Sequence, residues 1–378
     1  MRVHLIKIVL FFMVWGLGIS SKGQNITIKE VGFGGNYRAR IYLPANYENV
    51  RLHYPVLYVL DGQVLFDVLV AIYRYNCDIY PPAIIVGIEQ IDRGKELIEA
   101  GETNPEGNEF FCRFLAGKLF PLIESTYRTN AIRVGIGHSH GGTFVLNAAL
   151  KNDFFNAVVT ISPTLWVNQS SFLRNYPPES PAWKKIKKLY CGYGDNDFPV
   201  IRKDVDSLFR KWDDKDRVKK TVFVDEDHNS AVLTGMRKGL EFVFEGFYLT
   251  ETAWENIEES QNDSLFYEHF NRLSDFWGEK ILPGEEDYNY LGYFYLEKED
   301  WERAEQVFKQ ALYNYPSAAN LYDSLGELYE RRQQLKAARR CYRQALKIAR
   351  KDKDMILMLP AYEAHLKGVK NKMSVKTK

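Results

Sequence analysis

Ser139 lies between two glycines and two histidines in the stretch GHSHGG, residues 137–142. A serine hydroxyl becomes an effective nucleophile only when it is held in a strained, exposed position beside a base, with backbone donors ready for the developing oxyanion. The pattern Gly-x-Ser-x-Gly meets this need, because Gly137 and Gly141 allow a strand to turn sharply into a helix. The stretch predicts a nucleophilic serine, with an inert strand-to-helix turn as the alternative.

The base and the acid that such a serine requires are expected in the chain order serine, acid, histidine. Of the histidines that follow Ser139 in the region of alternating strands and helices, His140 adjoins the serine, which leaves His228 as the general base. A solvent-exposed loop histidine is the alternative. The acid is expected from the loop CGYGDNDFP, where Asp197 is preferred to Asp195 because phenylalanine and proline follow it. The other aspartate would then cap the turn.

Backbone amides are the expected donors to the oxyanion. The amide of His140 directly follows the serine, and a second donor is expected after the run YPVLYVL, where the chain turns at Asp61 and Gly62. This turn would aim the amide of Gln63 at the reacting oxygen, with an ordinary strand-ending turn as the alternative. A metal site at His138 and His140 is not predicted, because no third ligand follows at a suitable spacing.

Short apolar runs alternate with segments of helical spacing from about residue 26 to residue 247. The runs are apolar at consecutive positions, which is typical of strands buried on both faces of a sheet. They are YPVLYVL, AIIVGI, IRVGIG, AVVTIS, KKLYCGY and KTVFVDE. This alternation predicts an α/β fold with a doubly wound, mostly parallel sheet. His228 follows the last run, so it is expected at the carboxyl edge of that sheet.

Four stretches, YPVLYVLDGQVLF, GHSHGG, FFNAVVTISPTLW and DHNS, together resemble the Putative esterase family of α/β hydrolases. That family includes siderophore, feruloyl and acetylxylan esterases, S-formylglutathione hydrolase and mycolyltransferases. The resemblance implies an α/β-hydrolase fold, a serine esterase that forms an acyl-enzyme on Ser139, and no cofactor. It also implies that Trp166 and Asp61 border the substrate pocket. The segment 90–110 departs from the arginine-rich form with Thr-Pro that is usual in the family.

A different kind of sequence follows residue 250. Residues 250–284 are polar, aromatic-rich and helical in spacing, which predicts a helical connector. A 34-residue repeat then places Tyr288, Leu291, Gly292, Tyr295, Ala304, Phe308 and Ala311 in phase with Tyr322, Leu325, Gly326, Tyr329, Ala338, Tyr342 and Ala345. This period and these residue types resemble the tetratricopeptide repeat. The repeats, with the stretch MILMLPAYEAHLKGV as a capping helix, are expected over residues 285–370.

The amino-terminal residues predict an export signal. Basic residues precede an apolar run from Ile8 to Ile19, which is too short to cross a bilayer core of about 30 Å comfortably. A cleaved signal peptide over residues 1–23 is therefore predicted, and the mature chain is expected to be periplasmic or secreted, without a transmembrane anchor. The hydrolase domain is expected over residues 24–249, and a disordered tail over residues 371–378.

The composition fits a folded protein with one large and one small domain, since the 378 residues are 46% hydrophobic and 26% charged with a net charge of +1. Residues 331–378 are strongly basic, which a solvated helix face explains; contact with an acidic partner is the alternative. The absence of nucleic-acid-binding motifs predicts no nucleic-acid partner. The expected partners are a small ester and a protein bound by the repeats. The rival functions are acyl transfer by the same residues and a non-catalytic scaffold.

Overall fold

The structure, a computed structural model, describes the chain from residue 27 to residue 375 apart from residues 34–36, 78, 103, 211 and 213. These residues form two compact units, the first of residues up to Tyr47 with Arg51–Asp287, and the second of residues from Tyr288 onward with Glu48–Val50. The predicted signal peptide, residues 1–23, lies outside the described residues.

An eight-stranded sheet forms the centre of the first unit. Its strands are β1 Thr27–Gly32, β2 Arg38–Leu43, β3 Tyr54–Val59, β4 Ile84–Ile88, β5 Thr129–His138, β6 Ala157–Ile161, β7 Lys188–Gly194 and β8 Val218–Phe223. They are arranged in the order β1-β2-β4-β3-β5-β6-β7-β8. Strands β3 to β8 are parallel, whereas β1 and β2 pair antiparallel at one edge. The predicted α/β fold with a mostly parallel sheet is confirmed, and all six apolar runs form strands.

Helices cover the sheet. They are α1 Gly62–Tyr75, α2 Arg93–Leu97, α3 Glu109–Phe114, α4 Phe120–Thr126, α5 His140–Asn152, α6 Val167–Asn175, α7 Pro199–Phe209, α8 Ala231–Val243, α9 Glu251–Ser260 and α10 Ser264–Trp277. Short 3-10 turns occupy Tyr47–Asn49 and Pro181–Lys185. A π-helical turn at Leu115–Leu119 joins α3 to α4, just before Pro121, which has no amide hydrogen for a helical bond.

The centre of the sheet is deeply buried. Strands β3 and β4 are buried at every position, as consecutive apolar residues predict. Helix α5 packs Phe144, Val145 and Ala148 into the core directly after the GHSHGG stretch. Each large apolar side chain buried in this way contributes about 1.5–3 kcal/mol. The turn that carries Ser139 is therefore held between two well-packed elements.

The second unit is helical. Its helices are α11 Glu285–Glu297, α12 Trp301–Asn314, α13 Ala319–Arg331, α14 Leu335–Ala349 and α15 Leu359–Val375, with a 3-10 turn at Lys353–Met358. A β-carbon on Gly292 would lie 2.2 Å from the ring of Phe308, and one on Gly326 would lie 2.6 Å from the ring of Tyr342. Small residues thus let paired helices approach in both copies of the repeat, as the sequence predicts.

Helix α15 covers the end of the repeat array. Its residues Tyr362, Leu366 and Val369 are buried in one cluster with residues of α14. The helix continues to Val375, beyond residue 370, and Lys372 forms an ion pair with Glu330 of α13 at 2.7 Å. This extends order into the segment 371–378, for which the sequence predicts a disordered tail. No described helix has the length and apolar character needed to cross a membrane.

Candidate active site

The turn at Ser139 joins β5 to α5 with a strained backbone. Ser139 has φ 58° and ψ −122°, a conformation that is unusual for a residue with a side chain. Its amide donates to the carbonyl of Ile161 at 2.9 Å. A β-carbon on Gly137 would lie 2.2 Å from the carbonyl oxygen of Gly141, so a side chain there would prevent the turn. The chain thus forms the sharp strand-to-helix turn, or elbow, that the GHSHGG stretch predicts, with strain of about 1–3 kcal/mol held by the packing around it.

His228 and Asp197 are joined by a hydrogen bond. The distance from His228 Nδ1 to Asp197 Oδ1 is 2.9 Å, and the same carboxylate oxygen accepts the amide of Phe198 at 2.7 Å. Asp197 is 3% exposed. Asp195 makes no such contact, because its buried Oδ1 has no hydrogen-bond partner among the described residues and Arg202 binds its backbone carbonyl. Of the two candidate acids, Asp197 is the one that contacts the predicted base.

The charge of Asp197 fixes the tautomer of His228. Burial by itself raises the pKa of the Asp197 carboxyl, but hydrogen bonds from His228 and neighbouring groups outweigh it and hold the pKa below its usual range. An ionised carboxylate only accepts, so His228 Nδ1 must carry a hydrogen and Nε2 is left as the acceptor. An imidazole in this state can take a proton from a hydroxyl.

The ring of His228 lies against the elbow. It packs on the ring of His138, the residue before Ser139, with a centroid separation of 4.6 Å, and Phe198 contacts it from 5.1 Å. Across the described part of the chain, no hydrogen bond joins the Ser139 hydroxyl to His228. Catalytic hydrogen bonds are often long or poorly aligned before substrate binds. The structure thus brings the predicted base to the residue adjoining the predicted nucleophile.

The predicted oxyanion donors occupy the first turns of two helices. His140 begins α5, where the first backbone amides have no partner within a helix. Burial lowers the pKa of the His140 ring, and its Nδ1 lies 2.7 Å from Thr164 Oγ1. Gln63 is the second residue of α1, with an exposed side chain that accepts from the amide of Gln90 at 3.3 Å. The helix dipoles add a favourable field for negative charge.

Asp61 is buried and paired with a residue that the sequence analysis missed. Its carboxylate accepts from Arg93 Nε at 2.5 Å and from Arg93 Nη2 at 3.0 Å. A β-carbon on Gly141 would lie 3.4 Å from Asp61 Oδ2, so the ion pair adjoins the elbow. Arg93 is 40% exposed, so the pair reaches solvent on that side. Nothing in the local sequence signals the pair, because its partners are far apart in the chain.

A cavity opens beside the His140 ring. Its wall includes His140, Thr143, Asn147, Thr164, Leu165 and Phe172. Asn147 is 7% exposed, and its Oδ1 makes no hydrogen bond to any residue that the structure describes. Such an acceptor costs about 1–3 kcal/mol unless a bound molecule donates to it. Trp166 does not line this cavity but packs against the core. The spacing of His140, Thr143 and Asn147 along one helix face was the available sequence signal for this cavity.

A family model described as "Putative esterase" matches residues 31–234, which is more than half of the chain. The chain belongs to the Putative esterase family. This membership confirms the resemblance seen in the sequence, and the match covers the elbow, Asp197 and His228. A second model, described as "Tetratricopeptide repeat", matches residues 287–351.

Relatives of this member of the family include an apo-salmochelin esterase of Escherichia coli, 28% identical over 138 residues. That match covers 30% of this chain and 42% of the relative. A Bacillus subtilis protein, YbbA, is 26% identical over 151 residues, which cover 36% of this chain and 60% of the relative. The chain thus spans less than two thirds of these curated relatives.

A solved structure supports the fold. An IroE-like serine hydrolase from Shewanella oneidensis superposes with a TM-score of 0.61 at 21% identity, covering 76% of this chain and 99% of that chain.

Proposed function

We propose that this protein is a serine carboxylic-ester hydrolase that works through an acyl-enzyme on Ser139. The observation that carries the proposal is the hydrogen bond between Asp197 and His228, set beside the strained turn at Ser139. Membership of the Putative esterase family supports it. Asp197 and His228 lie in the loops that follow β7 and β8, and Ser139 directly follows β5. Because these strands are parallel, all three residues lie at the carboxyl ends of the strands.

The proposed reaction begins when His228 Nε2 accepts the proton of the Ser139 hydroxyl. The oxygen attacks the acyl carbon, and the amides of His140 and Gln63 donate to the oxyanion. The tetrahedral intermediate collapses, the His228 imidazolium gives its proton to the departing alcohol, and an acyl-Ser139 ester remains. Water then attacks this ester, with His228 again as the base, and releases the carboxylic acid and the free serine. Asp197 stabilises the imidazolium in both steps.

A fluorophosphonate probe tests this proposal without knowledge of the substrate. An activated serine attacks the phosphorus and displaces fluoride, which leaves a stable phosphonyl ester. We expect the native protein to be labelled once, on the tryptic peptide 134–151 that contains Ser139. Protein unfolded in guanidinium chloride is the control and should stay unlabelled. A native protein that resists the probe would support the scaffold alternative and contradict the proposal.

Export belongs to the same proposal. It rests on the basic residues and the apolar run from Ile8 to Ile19, which lie outside the described residues. We expect the protein recovered from the periplasm or the medium to begin near residue 24, as measured by intact mass. A full-length chain retained in the cytoplasm would contradict export and leave the esterase proposal unaffected.

The domain limits stay predictions, with the hydrolase over residues 24–249, the connector over 250–284 and the repeats over 285–370. The structure adds that α9 and α10, within the predicted connector, group with the first unit. We also propose that the tetratricopeptide repeats bind a protein partner.

A further inference from the structure

The loop after β8 carries the predicted base, His228. We propose that His138 is a positioning residue, whose Nε2–H holds the backbone carbonyl of His228 and whose ring supports the imidazole of His228. This inference rests on the proposed function of Ser139 and His228. Nothing in the family match or the named relatives assigns a role to His138.

The contact between His138 and His228 has two parts. His138 Nε2 lies 2.8 Å from the carbonyl oxygen of His228, and the two rings are 4.6 Å apart. A carbonyl oxygen only accepts, so Nε2 of His138 must carry the hydrogen and Nδ1 must lack one. The bond fixes the backbone of His228, while the ring contact limits the rotation of its side chain.

The two residues differ in how firmly the fold holds them. His138 is the last residue of β5, which is paired on both sides by β3 and β6. His228 lies in a loop after β8, which pairs with β7 at the end of the sheet. Within that loop, Asp227 accepts the amides of Asn229 and Ser230 at 2.8 Å, and the carbonyl of Glu226 accepts the amide of Asn196 from the neighbouring loop after β7 at 3.0 Å. These bonds join the loop to itself and to the neighbouring loop after β7, whereas the bond from His138 ties it to a strand at the centre of the sheet.

The protonation state of His138 suits this task. Burial, reinforced by the nearby His228, lowers the pKa of His138 to about 4. His138 is therefore neutral at pH 6 and above, so it keeps one donor on Nε2 throughout the range in which a histidine base is deprotonated. A neutral ring at this distance also does not oppose the positive charge that forms on His228 during the reaction. The titratable and charged groups that face the two rings are Asp61, Arg93, His140, Asp197 and Asp227.

Two substitutions separate the hydrogen bond from the bulk of the ring. His138→Leu retains a bulky side chain but removes the hydrogen-bond donor. His138→Gln supplies a side-chain N–H at a similar distance from the backbone. We expect kcat/KM for a p-nitrophenyl ester to fall about 10- to 100-fold in His138→Leu, since a displacement of about 1 Å can cost 100-fold. His138→Gln should recover most of this loss.

The pH profile distinguishes positioning from a general loss of structure. When the loop loosens, the contact between Asp197 and the His228 ring changes, so the acid limb of kcat/KM should move in His138→Leu. His269→Leu is the matched control, because His269 Nε2 lies 2.7 Å from the carbonyl of Gly246 in another part of the unit and burial also lowers its pKa. That variant should lose stability without moving the acid limb.

Nitrogen-15 spectra of the histidine rings give a readout that does not need activity. We expect a protected His228 Nδ1–H in the wild type and in His138→Gln, and rapid exchange of that proton in His138→Leu. An unmoved acid limb together with wild-type ring spectra in His138→Leu would overturn the inference. If the wild type neither hydrolyses esters nor reacts with a fluorophosphonate, the proposed function fails, and the ring spectra alone decide whether His138 positions His228.

Discussion

Replacing Ser139 with alanine is expected to lower kcat for ester hydrolysis by roughly 10⁶-fold, because the hydroxyl that carries the acyl group is lost. Binding and the oxyanion donors remain, so a residual rate of about 10³-fold over water is compatible with the proposal. The measurement is steady-state hydrolysis of p-nitrophenyl acetate at pH 7, with active-site concentration from fluorophosphonate titration of the wild type. A Ser139→Ala variant that retains a tenth of the activity would contradict the nucleophile assignment.

Stability measurements on the same position separate chemistry from folding. Alanine is as poorly suited as serine to φ 58°, so the melting temperature of Ser139→Ala should stay close to that of the wild type. Glycine adopts this conformation readily, so Ser139→Gly should be equally inactive but as stable or more stable. Equal losses of stability in both variants would show that the serine side chain supports the fold.

Asp197→Asn is the second substitution with a large expected effect. We expect kcat to fall by about 10⁴-fold, because an amide can donate to His228 Nδ1 and favour the wrong tautomer, and it does not stabilise the imidazolium. Asp195→Asn is the matched control from the same loop, since its side chain has no contact with the base, and it should stay within a few-fold of the wild type. The measurement is kcat at pH 7 for both variants. A larger loss in Asp195→Asn would reverse the assignment.

The features that were predictable from sequence depend on short segments or on chain order. The elbow follows from two glycines around one serine, and β3 to β7 follow from consecutive apolar residues. His228 could be selected because few histidines follow Ser139 in the α/β region. The choice between Asp195 and Asp197 stayed open, because both lie in one loop after β7 and spacing cannot show which side chain turns toward the base.

The remaining features depend on residues that are distant in the chain. The ion pair between Asp61 and Arg93 joins the loop after β3 to helix α2, and neither segment contains a motif for it. The bond from His138 to the carbonyl of His228 spans 90 positions and involves a backbone atom, which no residue pattern marks. The order in helix α15 up to Val375 arises from contacts with α13 and α14, whereas the local sequence is lysine-rich.

The position of β8 at the end of the sheet affects how the protein would lose activity on partial unfolding. This strand pairs with β7 alone, and Val222 and the following Val224 are 42% and 75% exposed. Edge segments of this kind open at a smaller free-energy cost than the interior of a sheet. Fraying of this margin would loosen the loop that carries His228 and leave its position to the contacts with His138 and Asp197, while the serine turn, anchored several strands inward, kept its shape. Hydrolytic competence would therefore depend on how well this edge of the sheet stays paired, and not only on the overall melting of the sheet.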